Sequence, residues 1–159
     1  MSEKRRLSLP DADATTRLGH ALADVLGPGD CVCLTGDLGV GKSHLARAVI
    51  QARQAAFGPV EDVPSPTYTL VQTYAAGDLE ILHADLYRLG DGDELMELGL
   101  SDALGSSLCL IEWPEKLGDL APPDALWITL EVDGPGRVAT LVGRGWADRL
   151  DAVADAFHG

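Results

Sequence analysis

The sequence predicts an α/β fold in a single domain, residues 1–159, with a mixed, mostly parallel β-sheet, helices on both faces and a C-terminal β-hairpin. Short apolar runs typical of buried strands alternate with stretches whose apolar residues have helical spacing. Strand patterns also outnumber the helical crossovers, which favours a mixed sheet. A length of 159 residues is sufficient for one domain with a substantial core.

The N-terminal half contains two predicted strand–helix pairs. Residues 5–10 alternate weakly and predict an edge strand, and apolar residues between 18 and 25 have helical spacing. Glycine and proline at 27–29 end that helix. The run CVCLT, residues 31–35, predicts a buried strand, and residues 42–58 predict a helix.

The C-terminal half contains strand patterns of similar length, introduced by a proline-containing loop and closed by a helix. Two of these patterns are joined by DGPG, which predicts a hairpin. The predicted elements are strands at 79–89, 107–115, 125–132 and 137–143, and helices at 90–105 and 147–159.

The charge balance restricts the partners of this chain. Twelve Lys and Arg stand against 25 Asp and Glu, which gives a formal net charge of −13. Affinity for nucleic acid depends largely on cations that release counterions from phosphates, so independent binding to DNA or RNA is not expected. A basic surface on a partner protein would be attracted.

The sequence favours a cytoplasmic protein. No apolar run approaches the roughly 18–20 residues of a membrane span, and no apolar segment of signal-peptide type follows the basic start. Cys31, Cys33 and Cys109 lie in apolar surroundings without zinc-finger spacing, so we interpret them as small buried residues.

The stretch LTGDLGVGKSHLARAV contains the pattern G-x-x-x-x-G-K-[ST] at Gly36, Gly41, Lys42 and Ser43. In such a P-loop, backbone N–H groups surround phosphates, the lysine reaches the terminal phosphates and the hydroxyl binds Mg²⁺. A predicted strand precedes the pattern and a predicted helix follows it, which is the context that the motif requires. We therefore expect binding of a nucleotide with Mg²⁺.

Phosphate chemistry at a P-loop also needs a carboxylate at the end of another buried strand. Glu112 follows the apolar run Leu108–Ile111 and is the first candidate. Asp85, in HADLYR, is the second, and neighbouring His83 and Arg88 are candidate structural partners of that acid.

The segment VPSPTYTLV, residues 63–71, lies between the P-loop helix and the next strand, where P-loop proteins carry a nucleotide-sensing switch. Its hydroxyl groups include that of Thr67. A rigid turn that enters a strand is the alternative interpretation of its two prolines.

Four segments in this order, GDLGVGKS, SPTYTLV, HADLYRL and IEWPE, resemble the bacterial TsaE (YjeE) ATPase family over nearly the whole chain. The resemblance implies a small P-loop ATPase that acts with TsaD and TsaB subunits. Together they make the threonylcarbamoyl modification of adenosine in tRNAs that read codons beginning with A. It also implies that tRNA is contacted only through the complex.

The resemblance further implies roles for individual residues. The loop positions that would bind nucleotide are Asp37, Leu38, Gly39, Val40, Gly41, Lys42, Ser43 and His44. Ser43 and Glu112 would hold Mg²⁺, and Asp85 would serve hydrolysis together with Lys42. Thr67 would contact the γ-phosphate, and Trp113 would lie beside the site. Thr15 and Arg137 would lie near the nucleoside.

The departures from the family pattern are small. Ser43 replaces the usual Thr and keeps the hydroxyl, Val40 replaces Ala, and Ala84 replaces an aromatic residue. His44 replaces a common Thr, and the sequence assigns it no role.

Hydrolysis is expected to drive a conformational or release step in the larger assembly, and the isolated chain is expected to turn over slowly because no arginine finger follows from the sequence. Two alternatives remain at this point. One is a small-metabolite kinase, an activity that the acidic charge and the scattered arginines of this chain disfavour. The other is an assembly factor gated by ATP without essential hydrolysis.

Overall fold

The computed structural model describes residues 2–66, 70–88 and 99–159. Within them, the strands are β1 (Ser2–Leu9), β2 (Cys31–Thr35), β3 (Val71–Ala76), β4 (Leu79–Asp85), β5 (Leu108–Glu112), β6 (Leu126–Asp133) and β7 (Gly136–Arg144). The helices are α1 (Ala12–Ala23), α2 (Lys42–Ala55), α3 (Leu100–Ala103) and α4 (Ala147–His158), together with a kinked 3-10 segment at Pro114–Leu120.

The strands form one sheet in the order β1–β7–β6–β2–β5–β4–β3. The pairs β6–β2, β2–β5 and β5–β4 are parallel and make up the centre of the sheet. Antiparallel pairs occupy the two sides, including the β6–β7 hairpin. The predicted mixed sheet and C-terminal hairpin are therefore confirmed.

Alternation along the central strands gives each face of the sheet its own core. Leu108 and Leu110 of β5 belong to the cluster that contains the apolar faces of α1, α2 and α4. Cys109 and Ile111, which point the other way, belong to a smaller cluster with α3 and Leu117 of the 3-10 segment. Helical elements therefore cover both faces, as predicted.

The three cysteines are buried, as the sequence predicted. The Sγ atoms of Cys31 and Cys33 lie 4.0 Å apart. The hydrogen bond with Cys33 and burial both raise the pKa of Cys31, and burial raises the pKa of Cys109 to about 12. Because the thiolate is the reactive form, these environments keep both thiols unreactive.

Several predicted boundaries differ from the observed ones. Strand β1 begins at residue 2 instead of 5, because residues 2–4 pair with β7 in the same way as the rest of the strand. Strand β4 ends at Asp85, whose Oδ1 accepts a hydrogen bond from the Tyr87 amide, 3.0 Å away, as the chain leaves the sheet. Most of the helix predicted at 90–105 lies outside the described residues. The described part of that stretch contains α3.

The helices of the described residues are all too short or too polar to cross a membrane.

Close packing of α1 against α2 requires a glycine at position 19. A Cβ atom built on Gly19 would lie 2.4 Å from Cβ of Ala48. Overpacking typically costs about 1–3 kcal/mol, and a 2.4 Å contact with the short side chain of Ala48 places the cost at the upper end, about 2–3 kcal/mol. Ala in place of Gly inside a helix offsets about 1 kcal/mol of this cost.

We expect Gly19→Ala to lower the free energy of unfolding by about 1–2 kcal/mol, measured by urea denaturation. Gly27→Ala is the control, because a Cβ atom there meets no atom within 4 Å. Unchanged or higher stability of Gly19→Ala would contradict the described contact between the two helices.

Candidate functional site

The glycine-rich loop joins the end of β2 to the start of α2, as predicted. Gly36 has a φ of 142°, and a Cβ atom there would lie 2.6 Å from the carbonyl oxygen of Leu130. Gly41, the N-cap of α2, has a φ of 118°. Both positions therefore need glycine, because only glycine adopts such angles readily. At Gly36 the missing side chain also leaves room for the neighbouring strand.

The N-terminus of α2 gives the loop a positive character. Amide groups of the first helical turn have no partner within a helix, and the helix dipole makes this end favourable for anions. The first turn contains no acidic residue. An anion such as a phosphate group would be stabilised here by backbone groups.

Lys42 is buried at the start of α2, with 4% of its surface exposed. Its Nζ donates to the carbonyl oxygen of Gly36 and lies 3.4 Å from that of Asp37 and 3.8 Å from the ring centroid of Trp113. Burial lowers the pKa of this lysine, an effect that the Glu112 carboxylate opposes. The ammonium is thus held by neutral groups where it can meet a phosphate.

Glu112, at the end of β5, lies next to the hydroxyl of Ser43. Ser43 Oγ is 3.0 Å from Glu112 Oε1 and 2.9 Å from Oε2, and it is 3.2 Å from the hydroxyl of Ser65. Glu112 is 3% exposed. The structure therefore brings together the hydroxyl and the carboxylate that the sequence predicted as metal ligands.

Two side chains of β4 adjoin Glu112. Asp85 is directly opposite Glu112 in the parallel pairing of β4 with β5. His83 Nε2 lies 2.6 Å from Glu112 Oε2, and both side chains are buried. Sequence reasoning considered His83 only as a partner of Asp85 and missed its contact with Glu112, because that contact depends on the register between β4 and β5, which are adjacent in the sheet but separated in the sequence.

Trp113 follows Glu112 and lies beside the site, as the resemblance implied. Its φ of 59° is in the left-handed region, which is uncommon for a bulky residue. The centroid of its ring is 4.8 Å from that of the Tyr87 ring, and the Lys42 ammonium lies over the face of the indole. This backbone turn directs the indole towards the loop.

Two cavities adjoin at the loop. The first, of about 260 Å³, is lined by the loop together with Asp85 and Glu112, and the second, of about 290 Å³, is lined by residues that include Thr15 and Arg137. The two cavities are separated by three residues that line both of them, Gly39, Gly41 and His44. A ligand that has a phosphate part and a second part could therefore extend across the loop.

His44 has a defined contact that the sequence did not reveal. Its Nε2 lies 2.8 Å from the hydroxyl of Thr16 on α1. This hydrogen bond ties the first turn of α2 to α1 between the two cavities.

The remaining predicted loop residues differ in their surroundings. Leu38 is exposed and lines the first cavity, whereas Val40 is buried and lines the second. Asp37 contributes its carbonyl oxygen to Lys42 and lines a separate cavity against β6. Thr67, the predicted γ-phosphate contact, lies outside the described residues.

Among residues 2–66, 70–88 and 99–159, no group of three or more His, Cys, Asp or Glu side chains is arranged to hold a metal ion.

A comparison with protein families shows the family of this chain. The model of the family described as "Threonylcarbamoyl adenosine biosynthesis protein TsaE" matches residues 9–138. The chain belongs to the TsaE family. A TsaE protein of Rickettsia felis is 40% identical over 137 residues, which cover 86% of this chain and 78% of that protein.

Relatives from other bacteria agree. The TsaE protein of Haemophilus influenzae is 35% identical over 142 residues, which cover 86% of this chain and 87% of that protein. That of Bacillus subtilis is 32% identical over 131 residues, which cover 82% and 77% respectively. All three relatives carry the name tRNA threonylcarbamoyladenosine biosynthesis protein TsaE.

A solved structure shares the fold of this TsaE family member. The crystal structure of YdiB from Bacillus subtilis superposes with a TM-score of 0.74 and covers 99% of this chain and 96% of that one. The two sequences are 23% identical in this comparison, which therefore supports the fold alone.

Arg137 stabilises the loop from β7. Its Nε donates to the carbonyl oxygen of Val40, 3.1 Å away. We expect Arg137→Met to accelerate hydrogen exchange of the Val40 amide about two- to tenfold, because one hydrogen bond contributes about 0.5–1.5 kcal/mol.

Arg144→Met, an exposed position on the same strand, is the control and should leave this exchange rate unchanged. Equal exchange of Val40 in both variants would show that Arg137 does not hold the loop.

Proposed function

We propose that this chain binds and hydrolyses ATP with Mg²⁺ and acts in the biosynthesis of threonylcarbamoyladenosine in tRNAs that read codons beginning with A. The observation that carries the proposal is the contact of Ser43 with Glu112 at the N-terminus of α2, below the glycine-rich loop. The names of the TsaE relatives support the tRNA pathway.

The cavities and the loop fit a nucleoside triphosphate. The phosphates would lie in the first cavity, against the amide groups of the loop and the Lys42 ammonium. The nucleoside would lie in the second cavity, near Thr15 and Arg137. The backbone at Gly39 and Gly41 would pass between these two parts.

The Ser43–Glu112 pair fits a magnesium site. Mg²⁺ is commonly bound by one or two protein groups and completes its coordination with phosphate oxygens and water. Glu112 Oε1 and Ser43 Oγ are hard oxygen donors 3.0 Å apart. When bound, the ion would neutralise charge that develops on the phosphates during transfer.

Asp85 is the candidate for orienting or activating the attacking water. It lines the same cavity as Ser43 and Glu112 and lies opposite Glu112 in the sheet. Its Oδ1 accepts the Tyr87 amide hydrogen, which fixes the orientation of the carboxylate. From the sequence, Thr67 is proposed to sense the γ-phosphate.

The acidic charge favours action within a complex. At a formal charge of −13, the chain would be repelled by the phosphates of a free tRNA. TsaB-like and TsaD-like subunits in the cytoplasm are the proposed partners and would supply the tRNA contacts. ATP hydrolysis would then drive a conformational or release step in that complex.

Removal of either acid should stop hydrolysis without abolishing nucleotide binding. We expect Glu112→Gln and Asp85→Asn to lower the steady-state rate of phosphate release at least about 100-fold, while the variants still bind ATP in calorimetry. Asp78→Asn, at an exposed turn, is the control. Wild-type rates in both site variants would contradict the proposed catalytic roles.

Hydrolysis should also be required for tRNA modification. In a reconstituted reaction with TsaB and TsaD subunits, tRNA, ATP and an activated threonylcarbamoyl donor, we expect the wild-type chain to support modification. The Asp85→Asn variant should not support it. Full modification by a variant that binds ATP without hydrolysing it would instead indicate an assembly factor gated by nucleotide.

A further inference from the structure

The carboxylate of Glu112 is held from β4 by His83. The distance from His83 Nε2 to Glu112 Oε2 is 2.6 Å, and the two residues are 0% and 3% exposed. In the pairing of β4 with β5, His83 lies opposite Leu110, two residues before Glu112. Both side chains therefore project from the face of the sheet that α2 covers.

The two oxygens of Glu112 have different surroundings. Ser43 Oγ is about equally close to Oε1 and Oε2, whereas His83 contacts Oε2. The imidazole thus occupies Oε2 together with the Ser43 hydroxyl, whereas Oε1 has the contact with Ser43 but none with His83. A buried carboxylate needs such donors, because a charge removed from water without a partner is costly.

The hydrogen-bond network defines which ring nitrogen donates. His83 Nδ1 is buried and has no hydrogen-bond partner in the described residues. A hydrogen on Nδ1 would be an unpaired buried donor, whereas a hydrogen on Nε2 is donated to Glu112. A hydrogen on Nε2 therefore satisfies the contact with Glu112.

We propose that His83 is a positioning residue that fixes the Glu112 carboxylate for magnesium by binding Oε2 from β4 and leaving Oε1 available to the ion. This inference rests on the proposed function, in which Glu112 helps to hold the magnesium–nucleotide complex. Groups that orient a metal-binding side chain typically contribute about 10- to 100-fold to metal affinity. His83 would act through Glu112 and would not itself touch the nucleotide.

The test separates this role from simple filling of the core. His83→Leu keeps an apolar side chain of similar size without a donor, and His83→Gln keeps an N–H group near the position of Nε2. The affinity of the ADP-bound protein for Mn²⁺, as a probe for Mg²⁺, is measured by the loss of the free-ion EPR signal. ADP affinity in EDTA and the thermal midpoint are measured in parallel.

We expect His83→Leu to weaken Mn²⁺ binding about 10- to 100-fold, with ADP affinity in EDTA changed less than about twofold. His83→Gln should recover most of the Mn²⁺ affinity. Equal losses in both variants, or none in His83→Leu, would overturn the positioning role. If the wild-type chain bound neither nucleotide nor Mn²⁺, the proposed function would fail, and this inference with it.

An independent measurement covers the case in which His83→Leu does not fold. Long-range ¹H–¹⁵N NMR of the wild-type protein reports which imidazole nitrogen carries the hydrogen, and loss of the signal in His83→Gln assigns it. A hydrogen on Nε2 supports the proposal, and a ring with its hydrogen on Nδ1 alone contradicts it.

Discussion

The parallel pairing of β2, β5 and β4 is the constraint on which the rest of the site depends. Parallel strands end at the same edge of a sheet, so the loop that follows β2 lies beside the acids that end β5 and β4. Ser43 then meets Glu112, 69 residues away in the chain, through a hydrogen bond of 2.9–3.0 Å. A shift of one residue in the register of β5 would turn Glu112 to the opposite face of the sheet.

Burial of charged groups at this edge is balanced by local partners. Lys42 and Glu112 are almost completely buried, and each is held by hydrogen-bond acceptors or donors of its own. The lowered pKa of Lys42 shows that desolvation outweighs the attraction of the nearby carboxylates. An anionic ligand would bring further negative charge to the ammonium, so ligand binding would relieve part of the unfavourable burial.

Local sequence patterns predicted the strand, glycine loop and helix around Lys42, because each of these elements has a signature within a few residues. They also predicted Glu112, since an acid directly after an apolar run marks a strand end. The contact of His83 with Glu112 and the hydrogen bond of His44 to Thr16 could not be predicted in this way. They depend on the register of neighbouring strands and on the packing of α1 against α2, which no local pattern contains.

The chain as a whole has a negative net charge, whereas its glycine-rich loop presents positive charge. At long range, a chain with a formal charge of −13 repels polyanions. At the loop, backbone amides, the end of the α2 dipole and Lys42 present positive charge within a few ångströms. A compact triphosphate that carries Mg²⁺ brings far less negative charge than a tRNA and can use these short-range contacts, whereas a tRNA presents phosphates to the whole acidic surface. In the proposed function, the same charge distribution would favour a nucleotide in the loop and would leave recognition of tRNA to a more basic partner.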